Sequence, residues 1–166
     1  NKEVFIMLLF FILCISNAKG NCYSNQNFYL NSNFLIKSCD INLNSDIQFA
    51  IDYWNSIGFY NVTFNSLDYY ECKNLNLKEK GTIFVKIDKE KASSLDTESV
   101  THEAVTTLEN YKSSGNLHSA IISLKPTYYL KKPGLLIAHE LGHALGFSHV
   151  NENCENFIMN PFYEKM

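Results

Sequence analysis

The 166-residue chain has no arginine, and its 14 lysines are scattered instead of gathered on one face. With a formal net charge of −3, this argues against nucleic acid as a partner, because such surfaces concentrate cationic side chains. Also missing is an apolar run of the roughly 20 residues needed to cross a hydrocarbon core as a helix. The longest run, Val4 to Ile15, is too short for a stable membrane anchor. Internal repeats, low-complexity tracts and interdomain linkers are lacking as well. A chain of this size with 46% hydrophobic residues is expected to form one core and one domain.

Lys2, the apolar run and small residues offering cleavage at Ser16-Asn17-Ala18 or Ala18-Lys19-Gly20 have the layout of a secretory leader, expected over residues 1–20. The expected location is therefore secreted and extracellular, with a mature domain over 21–166. Cys14 would leave with the leader, and Cys22, Cys39, Cys72 and Cys154 would remain. Four cysteines in an oxidising compartment imply two disulfides, among three possible connectivities. A less favoured role for one of these thiolates is to cap a metal.

Ser45 and Gln48 have capping-box spacing, and Ile47, Ile51 and Trp54 recur at helical intervals, so a helix is expected over 45–57 with Gly58 ending it. Val62 to Leu67, Gly81 to Ile87 and Ala120 to Leu124 read as strands. Between Lys89 and Gly115 the signals conflict, and that stretch is assigned as a loop with an edge strand within 103–108. Pro133 and Gly134 precede a second expected helix, Leu135 to Phe147, with Leu141 and Leu145 on its buried side. The class is α/β or α+β on a mixed sheet.

The second helix carries His139-Glu140-Leu141-Gly142-His143-Ala144-Leu145-Gly146-Phe147-Ser148-His149. Residues four apart stand one turn above each other, so His139 and His143 aim at one point, and Glu140 is turned about 100° away. Gly146 can take positive φ, end the helix and return the chain so that His149 joins them. Three ligands leave the fourth tetrahedral position to water, the arrangement of a catalytic zinc site. Such a pattern arises by chance in on the order of one chain in 10^5, which makes coincidence a poor account of it. His102-Glu103-Ala104-Val105-Thr106 lacks the second histidine, so His102 and likewise His118 are read as ordinary surface or loop residues.

Phe157-Ile158-Met159-Asn160-Pro161 follows, with Met159 ten residues after His149. The combined pattern resembles the metzincin zinc peptidases, closely over 135–163 and more loosely over 45–67, 81–87 and 104–124. Pro161-Phe162-Tyr163 is similar to the matrixin branch. The resemblance implies an α+β zincin-like fold: a twisted mixed sheet, an active-site helix, a second helix packed on the sheet and a C-terminal Met-turn subdomain. It further implies one zinc ion on His139, His143 and His149, Glu140 as general base, and Met159 as support beneath the metal. Pro161 and Tyr163 would form a wall of the substrate pocket. The implied activity is endopeptidase cleavage of protein or peptide substrates by a monomer. An inactive zinc-binding adhesion or decoy module and an archaemetzincin-like aminopeptidase are the alternatives. No cysteine-switch motif, hemopexin-like domain or second His/Asp zinc cluster is visible, and only three residues follow Tyr163 where matrixins continue into a helix. Structural zinc and calcium are therefore not expected.

Overall fold

A computed structural model describes residues 33–58, 60–77, 79–97, 102–110, 117–150, 154 and 157–161. The leader expected over 1–20, Cys14, Cys22 and Tyr163 lie outside the described residues. Strand β1 (Asn33–Ser38) leads through helix α1 (Asn44–Ile57) to β2 (Asn61–Ser66). Helix α2 (Tyr69–Lys73), β3 (Thr82–Ile87), helix α3 (Lys89–Ala92), β4 (Ala104–Asn110), β5 (Leu117–Leu124) and helix α4 (Pro133–Ala144) follow. The sheet order is β2-β1-β3-β5-β4. The first four of these strands run parallel, and β4 pairs antiparallel with β5. This is an α+β fold on a mixed sheet.

Side chains alternate across each strand, and one set points into the core: Phe34 and Ile36 from β1, Val62 from β2, Ile83 and Val85 from β3, Ala120, Ile122 and Leu124 from β5. Ile47, Ala50, Ile51 and Trp54 of α1 meet Leu136, Ile137, Leu141 and Ala144 of α4 over that layer. Leu141 and the following Leu145 are fully buried, as the helical spacing requires. Trp54 is fully buried between the two helices, and its indole N–H donates to the Ala138 carbonyl at 2.7 Å. It lies against Phe147 with ring centroids 4.8 Å apart.

The expected capping box at Ser45 does not form. The Asp40 side chain accepts from the Asn42 N–H at 3.0 Å and starts a 3-10 turn over Ile41–Leu43 that runs straight into α1. Ser45 is then already inside the helix, and the Gln48 amide reaches Asp52 at 2.8 Å. Gly58 ends α1 in the left-handed conformation at φ 84°, which glycine enters without a Cβ clash.

Lys89 to Gly115, assigned as a loop with an edge strand, contains α3, a 3-10 turn at Ser93–Leu95 and β4. β4 ends the described sheet and continues to Asn110, beyond the expected 103–108. β1 and α2 were not anticipated. Helix α2 carries its own capping box, Asp68 with Glu71. Cys39 and Cys72 form a disulfide that joins the end of β1 to α2. Cys154 is also disulfide-bonded. Among the described residues, no helix is long and apolar enough to cross a membrane.

Candidate metal centre

Helix α4 begins with Pro133, whose missing N–H costs nothing in a first turn. It ends three residues earlier than expected, at Ala144, through a Schellman motif: Phe147 N–H donates to Gly142 O at 2.9 Å and Gly146 N–H to His143 O at 3.0 Å. Gly146 sits at φ 96° and makes this turn possible. The chain then doubles back, and Val150 N–H donates to Met159 O at 3.1 Å, fastening the returning segment to the turn that holds Met159.

The result is a convergence of three imidazoles. His139 Nε2 stands 3.0 Å from His149 Nε2, and His143 Nε2 stands 3.2 Å from the same atom. The other ring nitrogens decide what these atoms carry. His139 Nδ1 lies 2.7 Å from Ile158 O, and His143 Nδ1 lies 2.9 Å from Phe147 O. A carbonyl only accepts, so both Nδ1 atoms hold the proton, and in the neutral rings both Nε2 atoms present lone pairs to the centre. One N–H on His149 would serve two facing lone pairs poorly, whereas a cation serves all three rings. Nitrogens bound tetrahedrally at about 2.0–2.1 Å are about 3.3 Å apart, close to the observed spacings. The histidines are thus placed to hold a metal ion.

Burial reinforces this. His139 is pushed down to about 3, by desolvation first, against the lift from the Ile158 carbonyl and with repulsion from His143 and His149. His143 is lowered by burial against the lift from Phe147, and His149 by partial burial and then by His143. All three rings are therefore neutral and able to ligate at neutral pH. Their burial runs from buried His139 through half-buried His143 to exposed His149, so the centre opens to solvent on the His149 side.

Glu140 is buried, 8% exposed. Burial raises its carboxyl, while a hydrogen bond from Thr106 and the charge of His102 pull the other way. Thr106, on β4, places Oγ1 2.5 Å from Glu140 Oε2. Periodicity and spacing do not signal this contact, which joins residues 34 apart. Its only trace is that Thr106 occupies the position where the near-miss motif beginning at His102 lacks its second histidine. His102 is partly exposed just before β4, as expected of a loop residue, with its N–H bound to Asp96 at 2.5 Å. His118 falls in β5, and its side chain lies outside the described set.

Met159 is fully buried and lies against Gly142 of α4. A Cβ at Gly142 would lie 2.1 Å from Met159 Sδ and 2.6 Å from Trp54 Cζ2, so only glycine permits this approach. The Tyr53 hydroxyl accepts the Ile158 N–H at 3.1 Å and steadies the same turn from α1. Asn160 N–H donates to Phe157 O at 2.9 Å within the turn, and Pro161 is exposed beyond it. The Tyr53 and Thr106 contacts are ones that the sequence does not reveal, because both reach the site from other elements. Compared with protein-family models and with curated proteins, the chain matches none.

Proposed function

We propose that this chain is a secreted zinc metalloendopeptidase of the metzincin, matrixin-like kind, acting as a monomer on protein or peptide substrates. The observation that carries the reading is the convergence of three histidine Nε2 atoms on one point, with Glu140 adjacent to His139 on α4. A purely structural zinc is usually enclosed by four protein ligands; here three histidines converge and the site opens to solvent beside His149.

In this reading His139, His143 and His149 hold the ion. Zinc supplies Lewis-acid polarisation of the scissile carbonyl and acidifies the attacking water. Glu140 accepts the proton of that water as its oxygen bonds to the carbonyl carbon. When the C–N bond breaks, Glu140 delivers the proton to the leaving nitrogen, which balances the step. The Ile158 and Phe147 carbonyls keep His139 and His143 in the ligating tautomer throughout. Met159 supports the ligands from below, and Pro161 with Tyr163 forms a pocket wall. An extended peptide adds to β4, the last strand of the described sheet. Export is supported by the apolar leader pattern and by the Cys39–Cys72 disulfide.

The test is digestion of a quenched-fluorescent peptide library. The proposal expects internal cleavage that stops on chelation and returns with zinc. A protein that binds zinc and cleaves nothing would instead be a binding module, and release of single N-terminal residues would identify an aminopeptidase.

A further inference from the structure

The contact between β4 and Glu140 has no task in the reaction as described above. Thr106 Oγ1 lies 2.5 Å from Glu140 Oε2 and 3.1 Å from the Glu140 carbonyl oxygen. A threonine hydroxyl has one proton, and the shorter contact, to the carboxyl group, takes it. The donor itself is stiff: a β-branched side chain has restricted χ1, and Thr106 is paired with Ile122 in the β4–β5 ladder. A glutamate side chain, by contrast, has three rotatable bonds, whose freedom opposes any single geometry.

We propose that Thr106 is a positioning residue for Glu140, its hydroxyl holding Oε2 so that Oε1 is the oxygen that exchanges the proton with water and leaving group. This rests on the metallopeptidase reading. It adds that β4, the strand offered to substrate, also fixes the base. Thr106→Val keeps the shape and removes the donor, and Thr106→Ser keeps the donor and removes only a methyl.

The experiment compares wild type with both variants in two states. With zinc bound, Thr106→Val is expected to keep metal content and KM while kcat falls about 10- to 100-fold, the cost of a misplaced group. Thr106→Ser restores most of that loss. In the metal-free proteins labelled with 13C-glutamate, the Glu140 δ-carbon resonance is assigned by its disappearance in Glu140→Gln. It should move in Thr106→Val and return in Thr106→Ser. A wild-type kcat in Thr106→Val, or an equal fall in Thr106→Ser, overturns the positioning role. If the valine variant fails to fold, Thr106→Ala, which also lacks the donor, carries the same expectation. A zinc-loaded wild type that cleaves no peptide removes the metallopeptidase reading and this role with it. An unmoved resonance in metal-free Thr106→Val would separately remove the Thr106–Glu140 contact.

Discussion

The Nδ1–H of His139 donates to the carbonyl of Ile158 at 2.7 Å, so the residue just before Met159 sets the tautomer of one ring of the histidine triad. The same Ile158 gives its own N–H to the Tyr53 hydroxyl at 3.1 Å. A line of contacts therefore runs from α1 through the turn to the triad. Tyr53→Phe keeps the ring and removes the hydroxyl that holds Ile158. Loss of such outer partners typically weakens metal binding about 10- to 100-fold, and the low end is expected here because Ile158 keeps its carbonyl in place. Competition with a chromophoric chelator measures it, and unchanged affinity would show that the turn holds without Tyr53.

Gly142 is fixed by packing, since the added methyl of Gly142→Ala would overlap Met159 Sδ and Trp54 Cζ2 at 2.1 and 2.6 Å. Met159 and Trp54 are both fully buried, leaving neither an easy retreat. Overpacking a core costs about 1–3 kcal/mol and sometimes more, and the upper end is expected in urea unfolding of the metal-free protein. A loss below about 0.5 kcal/mol, ordinary for a surface change, would mean that the turn lies farther from α4 than described.

The Cys39–Cys72 bond closes a loop with a sequence separation of 33. Loop-closure entropy for that length is worth about 3–4 kcal/mol. Replacing both cysteines by serine should lower stability by that order without changing the zinc content, because the bond ties β1 to α2 and neither element carries one of the three histidines.

Acid should act on the metal-free protein through the histidines. His139 titrates at about 3 in the folded state and at its ordinary 6.5 when unfolded. Between those values the unfolded chain binds the extra proton, so stability is fully present above about 6.5 and is lost as pH falls toward 3. His143 and His149, both lowered, have the same sign. Glu140, raised by burial, has the opposite sign, contributing stability below its ordinary 4.5 and losing it as pH rises. Within the site, three groups against one predict net acid destabilisation. Zinc, which competes with protons for the same nitrogens, should move the acid transition to lower pH. Thermal melts from pH 7.5 to 4, with and without zinc, check both statements; identical melts would contradict them.

How far the sequence discloses this protein depends on the range of each interaction. The triad is legible because His139, His143, Gly146 and His149 lie within eleven residues, where helix periodicity and one glycine turn determine the geometry. Helix α1 was legible from Ile47, Ile51 and Trp54, but its start was not, because Asp40 begins a 3-10 turn upstream of Ser45. β4 was ambiguous because Ala104 and Leu108 keep helical spacing, and pairing with β5 let the β-branched Val105, Thr106 and Thr107 prevail. β1 alternates correctly, with Phe34 and Ile36 buried, yet it spans only six residues and its neighbours are distant in sequence. The five-residue α2 is too short for periodicity, although Asp68 and Glu71 had the spacing of its capping box. Thr106 and Tyr53 reach the site across 34 and 105 residues, distances at which only the assembled fold joins them.

The central claim is that Glu140 performs proton transfer at a zinc ion held by three histidines. Its most direct test is peptide cleavage by zinc-loaded Glu140→Gln beside zinc-loaded wild type, with metal content measured on both. The account predicts one zinc in each, with cleavage by wild type and a loss of at least about 100-fold in the variant, as expected when a general base is removed. Cleavage by zinc-loaded Glu140→Gln at the wild-type rate would contradict it.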